Sequence, residues 1–174
     1  MHDQHSGHTH DPAHRHPRRE HSVPLTHVQG HANPDEGTTQ APSPFPELMA
    51  EVMSGAERFA HRQHVHLTYL AVRRYGTATA IDVVSNGIQE AARYARAPQK
   101  YNATISRAWV ELIGHHADHS DAAGFDTFAE RNPALLDKKL LTRFYRPATL
   151  AGTQARTGWV TPDLSPFPWN ATAA

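Results

Sequence analysis

Two histidines one helical turn apart, His61 and His64, have the residue type and spacing best suited to chemistry near neutral pH. An imidazole whose unperturbed pKa is about 6.5 acts as a general base with little tuning. The same pair is also a candidate metal site, although a catalytic zinc or iron centre usually has a third protein ligand. A hydrogen-bonded pair in the protein core is the third interpretation, and the spacing alone leaves all three open.

A helical wheel at about 100° per residue shows where these side chains point. His61 and His64 fall within an apolar arc, whereas His66 falls in the polar sector together with Arg62, Gln63, Arg73 and Arg74. The pattern therefore predicts that His61 and His64 face the protein interior and that His66 faces water.

The elements that must position this pair are predicted from the hydrophobic period, which is helical after residue 44. No segment alternates with period two for long enough to predict a strand. Predicted helices cover Phe45–Met53, Glu57–Tyr75, the segment after Gly76, Tyr101–His116, Phe125–Arg131 and Pro133–Tyr145, with one more before Gly158. The predicted fold class is all-α, a single small helical bundle, with an extended surface segment over Trp159–Trp169.

Short links at Gly76 and Pro98 favour an up-down-up arrangement of the three long helices. The first and third helices then run parallel, and their N-terminal ends lie at the same level. This arrangement predicts that Tyr101, Asn102 and Thr104 lie beside the histidine pair in a polar cluster at one end of the bundle.

Composition excludes several classes of protein for these 174 residues. Seventeen Lys+Arg balance seventeen Asp+Glu, so no positive field favours nucleic acid or an anionic membrane. The absence of cysteine excludes disulfides, thiolate metal sites and a cysteine nucleophile. The apolar runs are shorter than the roughly 20 residues that span a bilayer, and no apolar signal region is found, so we expect a cytoplasmic protein.

Nine of the 15 histidines lie in the first 31 residues. Residues 1–44 have few large apolar side chains, so we predict a disordered His-rich tail, a helical domain over 45–168 and a disordered C-terminus over 169–174. Imidazole-rich tracts bind zinc, nickel and copper(II). The predicted ligands in the tail are His8, His10, His14 and His16.

Four motifs in order along the chain give a resemblance to known sequences. They are Phe59-x-His61-x-x-His64, Tyr101-Asn102-Ala103-Thr104-Ile105, Leu136-Asp137-Lys138 and Pro162-Asp163-Leu164-x-Pro166. They resemble the F-x-H-x-x-H, Y-H-E-T, L-D-K and P-D-L-x-P motifs of a set of small, uncharacterised bacterial all-helical proteins. The resemblance covers the predicted domain, and it implies a helical fold but no established activity.

The chain departs from these motifs at Asn102-Ala103, where the resemblance implies His-Glu. With His61 and His64, such a pair would complete a His₃Glu metal site or an acid–base cluster. Half of that site is missing, so the resemblance implies weak metal binding in the core, or none. Asp137 is a candidate to add a carboxylate, the alternative being a solvated pair with Lys138.

Three functions remain open at this stage. The first is a small-molecule enzyme whose catalytic residues are His61, His64, Tyr101, Asn102 and Asp137; a role in a biosynthetic pathway rests on base rate alone. The second is a metal-binding or metallochaperone protein, with the tail or the pair His61 and His64 holding zinc, nickel, copper or iron. The third is a non-catalytic interaction protein with an aromatic patch at Trp159, Phe167 and Trp169, unless these rings pack on their own domain.

Removal of residues 1–40 tests the metal-binding alternative. If the tail holds the ion, elemental analysis after purification without chelators will find metal in the full chain and almost none in the shortened one, because most imidazoles are gone. About one ion per chain retained by the shortened protein would contradict this expectation and would place a site at His61 and His64.

Overall fold

The computed structural model describes residues 42–170, and every regular element in this range is helical. The α-helices are α1 Phe45–Met53, α2 His61–Tyr94, α3 Ala103–Asp118, α4 Phe125–Arg131, α5 Pro147–Ala151 and α6 Thr153–Thr157. Short 3₁₀ helices cover Pro98–Lys100, Pro133–Leu136, Leu140–Arg143 and Pro168–Asn170. The predicted all-α class is confirmed for this range. The predicted disordered tail lies outside the described residues up to residue 41, as do residues 171–174.

Helix α2 consists of two helical segments that meet at Gly76. This residue has φ +76° and ψ 158°, a conformation that side chains with a Cβ rarely adopt. The predicted break at Gly76 is therefore confirmed. Thr77 begins the second segment and contacts Gly114 near the end of α3. Ile81, one turn later, lines the same cavity as Glu111, which precedes Gly114 in α3, and this order indicates that the second segment runs antiparallel to α3.

The core lies between α2 and α3 and is covered by α1, α4 and the C-terminal part of the described chain. Helix α3 contributes a run of buried side chains, among them Trp109, Leu112 and Ile113. Helix α1 packs through Phe45, whose ring occupies the space beside Gly87 of α2. An ion pair between Glu51 and Arg74 also joins α1 to α2.

Two predicted helix starts shift for local reasons. Helix α2 begins at His61 rather than Glu57, because Ala60 is extended and its N–H donates to Gln63 Oε1 at 3.2 Å. Helix α3 begins at Ala103 rather than Tyr101, because Asn102 is extended and its Oδ1 accepts from the N–H of Ile105 at 2.9 Å. Both hydrogen bonds are N-terminal caps, and each helix therefore begins at the residue that follows the cap.

The prediction of a single helix over Pro133–Tyr145 is wrong. Two 3₁₀ turns replace it, and they are separated at Asp137. The carboxylate of Asp137 accepts from the N–H of Lys139 at 2.9 Å, and such a local bond competes with helix formation. The α-helix predicted before Gly158 is present as the two short helices α5 and α6.

The C-terminal segment 159–170, here called the strap, is more than an extended surface segment. Phe167 is completely buried and its ring stacks on that of Trp169 at 4.7 Å between centroids. Pro168–Asn170 forms a 3₁₀ turn, so the ordered chain continues past the predicted boundary at residue 168. The aromatic residues Trp159, Phe167 and Trp169 pack on their own domain, which was the alternative to an exposed patch.

Within residues 42–170, no helix combines the length and the apolar character needed to cross a membrane.

Replacement of Gly87 by alanine tests the packing of α1 on α2. A Cβ there would lie 2.1 Å from ring carbons of Phe45, so the ring must move. We expect G87A to lower the free energy of unfolding in urea by about 1–3 kcal/mol, as overpacking does. The matched control is G55A, since a Cβ at Gly55 meets no atom within 4 Å. A second change, Phe45→Leu, should recover part of the loss; an unchanged G87A would show that Phe45 does not fill this space.

Candidate functional site

His61 connects the first turn of α2 to the 3₁₀ turn Pro133–Leu136. Its Nε2 lies 3.0 Å from the carbonyl oxygen of Leu135. A carbonyl only accepts hydrogen bonds, so Nε2 carries the proton and donates it. The ring also meets Trp109 edge to face, with 4.7 Å between centroids. These contacts place His61 within the domain, as the helical wheel predicts.

His64 is largely buried, and its ring stacks on Phe59 at 6.1 Å between centroids. Its Nε2 is sealed from solvent and has no hydrogen-bond partner within the described residues. Burial, and secondarily the nearby His61, lower the pKa of His64 to about 4. The imidazole is therefore neutral at pH 7, but the sealed nitrogen is not accessible to a dissolved substrate.

His66 is not a freely solvated side chain, contrary to the expectation from the helical wheel. Its ring lies flat on Phe125 of α4 at 4.1 Å between centroids and an interplanar angle of 8°. Arg62 covers the same phenyl ring at 5.0 Å and forms an ion pair with Asp126. The polar sector of α2 thus holds α4 in place.

The predicted partners of the histidine pair make their hydrogen bonds elsewhere. Asn102 caps α3, and its Nδ2 donates to the carbonyl of Leu150 at 2.7 Å. Thr104 Oγ1 donates to the carbonyl of Gly158 and accepts from the N–H of Val160. Asp137 is exposed and caps its own turn, while Tyr101 is half-buried at the end of the Pro98–Lys100 turn. None of these hydrogen bonds joins Asn102, Thr104 or Asp137 to His61 or His64, so they do not form the expected polar cluster.

A core metal centre is not supported by the donor set. Within residues 42–170, no group of three or more His, Asp or Glu side chains is placed to hold a metal ion. His61 already uses Nε2 on Leu135, which leaves Nδ1 as its free nitrogen. The tail ligands His8, His10, His14 and His16 lie outside the described residues.

A second candidate site is a cleft of about 740 Å³ between α2, α3 and the strap, here called the strap cleft. Its floor is one face of α3, where the polar side chains recur at helical spacing: Arg107, Glu111, His115 and Asp118. Thr77, Ala78 and Ile81 of α2 form one wall. Trp159, Pro162, Pro166 and Trp169 of the strap form the other.

An ion pair that also stacks on an indole fixes the polar floor of the cleft. Arg107 Nε lies 2.7 Å from Glu111 Oε1, and the guanidinium carbon lies 4.4 Å from the ring centroid of Trp159. Glu111 is only 16% exposed. Burial raises the pKa of the Tyr145 phenol, and the nearby Glu111 carboxylate raises it further. Tyr145 therefore stays protonated and donates to the carbonyl of Val160 at 2.9 Å.

His115 lies further along the same floor, 5.2 Å from Trp169 between ring centroids. Burial and the neighbouring His119 lower the pKa of His115, whereas Asp118 raises it in part. A neutral imidazole beside a carboxylate can accept a proton from a molecule in the cleft.

The strap cleft was missed at the level of sequence. The sequence motifs assign no chemistry to His115, His116 or His119. The available signal was the i, i+4, i+8 spacing of Arg107, Glu111 and His115 on the face of α3 away from its apolar stripe. What the spacing could not show is that the strap folds over this face.

Comparisons with protein-family models, with curated proteins and with solved structures found no match to the chain.

The burial of His64 predicts a pH dependence of stability. The pKa is 6.5 in the reference state and about 4 in the fold, so the unfolded chain binds the proton more tightly. The contribution of neutral His64 to the free energy of unfolding is complete above pH 6.5 and is lost as the pH falls towards 4. The total loss is roughly 3 kcal/mol, at about 1.4 kcal/mol per pKa unit. Urea unfolding of the wild type between these pH values should show this slope.

His64→Leu should remove most of that slope, because the variant has no imidazole to protonate at this position. His119→Gln, at an exposed position, is the matched control and should retain the slope of the wild type. Equal slopes in the wild type and in His64→Leu would contradict the burial of His64.

Proposed function

We propose that this protein binds a small organic molecule in the strap cleft and that the histidine pair His61 and His64 belongs to the scaffold. The observation that carries this proposal is the convergence of Arg107, Glu111 and His115 on a cleft walled by two indoles. Small-molecule sites in proteins typically occupy about 300–1,000 Å³, and they combine apolar walls with a few placed polar groups. The strap cleft has this size and this composition.

His61 and His64 are the catalytic residues expected from the sequence, but His115 is the better-supported candidate for a catalytic base. His61 Nε2 is bonded to a backbone carbonyl and His64 Nε2 is sealed, whereas His115 lines a cleft open to ligands. Its lowered pKa keeps the imidazole neutral at pH 7, so one ring nitrogen retains a lone pair that can accept a proton. In this proposal, His115 is the proton acceptor for a bound substrate.

The metal-binding alternative rests on the tail sequence alone. His8, His10, His14 and His16 are imidazole donors by residue type, and the donor set of the described residues adds no core site to them. Metal binding by the tail and ligand binding by the cleft are compatible and are tested separately.

A fragment screen by NMR tests the cleft proposal. The indole N–H signals of Trp159 and Trp169 report on the cleft, and that of Trp109, buried beside His61, is an internal reference. We expect fragments with an apolar ring to shift the first two signals and not the third.

Ala78→Phe should abolish fragment binding in the strap cleft. Ala78 is exposed and lines the cleft, so a phenyl ring there should fill the site without disturbing the core. Ala91→Phe, at an exposed position of the same helix outside the cleft lining, is the control and should bind as the wild type does. Unchanged binding in Ala78→Phe would contradict the proposed site.

A further inference from the structure

The charges and ring faces of the strap cleft indicate which class of molecule it takes. Its charged lining consists of Arg107, Glu111 and Asp118. With His115 neutral, these three side chains sum to one negative charge. The cleft therefore favours a ligand with a positive charge.

Arg107 is poorly placed to recognise an anion, because its guanidinium is already engaged. Its Nε donates to Glu111 at 2.7 Å, and its plane lies over the indole of Trp159. An anionic ligand at the remaining guanidinium nitrogens would lie beside the Glu111 carboxylate, which is only 16% exposed, and would be repelled by it. Displacement of Glu111 from Arg107 would leave its charge partly buried and uncompensated.

Asp118 is the more exposed carboxylate at the other end of the floor, one turn beyond His115. It makes no ion pair with another residue in the described range 42–170. The ring of Trp169 also lies near His115, at 5.2 Å between ring centroids, and the charge of Asp118 acts on the same imidazole. A carboxylate beside an indole face is a favourable environment for an ammonium group, through both the charge and the ring quadrupole.

The apolar part of the ligand is defined by the strap. Trp159 and Trp169 both stack on the buried Phe167, at 6.4 and 4.7 Å between centroids, with interplanar angles of 22° and 17°. Stacking on Phe167 restrains the orientations of both indoles, which form the wall of the cleft. Ile81 and Pro162 continue the apolar surface.

We propose, on the basis of the proposed cleft function, that the ligand is an organic cation with an apolar ring, such as an arylalkyl amine. Its ammonium group pairs with Asp118, and its ring packs between Ile81 and the indoles of the strap. Arg107 neutralises the Glu111 carboxylate, so the net negative charge of the floor is that of Asp118.

Two probes of nearly equal shape and opposite charge test this assignment: 2-phenylethylamine and 3-phenylpropionate. Each is titrated into the full chain at pH 7.5, with the indole N–H signals of Trp159 and Trp169 as readout. We expect the amine to bind roughly tenfold more tightly than the carboxylate, which corresponds to about 1.4 kcal/mol. Asp118→Asn should weaken the amine roughly three- to tenfold and leave the carboxylate unchanged or tighter.

Glu111→Gln distinguishes recognition by charge from recognition by shape. It frees Arg107, so the preference should shift towards 3-phenylpropionate. Asp126→Asn, an exposed carboxylate of α4 outside this cleft, is the control and should keep the preference of the wild type.

Equal binding of the two probes, or tighter binding of 3-phenylpropionate to the wild type, would overturn the cation assignment and leave the cleft function standing. If neither these probes nor any fragment moves the signals of Trp159 and Trp169, both proposals fail.

Discussion

The backbone of Val160 is held on both sides by buried side chains, and the cleft depends on this arrangement. Thr104 of α3 accepts from its N–H at 2.9 Å, and Tyr145 donates to its carbonyl at 2.9 Å. Val160 is the second residue of the strap and belongs to no helix, so no helical hydrogen bond is available to it. A buried backbone group without a partner is costly, so these two hydroxyls fix where the strap crosses α3. Trp159 and the rest of the strap wall follow from that crossing.

A second anchor fixes the far side of the same segment. Asp163 accepts from the N–H of Arg146 at 2.9 Å and from the hydroxyl of Thr149 at 2.6 Å. The Thr149 hydroxyl and the Arg146 N–H lower the pKa of Asp163, which keeps the carboxylate charged at the start of α5. Thr104 and Asp163 belong to two of the four sequence motifs, and in this structure both hold the scaffold together.

Much of the local structure could be predicted from the sequence, because its causes lie within a few residues. The apolar period predicts α1 and α4 with their observed bounds, and the position of Gly76 predicts the break in α2. The inward orientation of His64 also follows from the wheel. The helical wheel does not show which atom the imidazole of His61 contacts, which is the carbonyl oxygen of Leu135. The wheel alone therefore could not distinguish His61 from a catalytic residue.

The strap cleft could not be predicted in the same way, because its walls are far apart in sequence. The bond between Thr104 and Val160 joins residues 56 positions apart, and that between Asn102 and Leu150 joins residues 48 apart. A motif places such residues in order but does not pair them. The short loops predict which long helices lie next to α3. The strap instead follows α3 only after three short α-helices and two 3₁₀ turns.

Because these anchors are far apart in the sequence, a ligand bound in the cleft would affect the stability of the whole domain. The wall brings together segments that are far apart in the chain, so the unfolded chain does not present it. A molecule that binds this wall and not the unfolded chain raises the free energy of unfolding by RT ln(1 + [L]/Kd). Every tenfold excess over Kd therefore adds about 1.4 kcal/mol. The melting temperature of the domain is in this way a direct gauge of cleft occupancy, even for ligands that leave no spectroscopic trace.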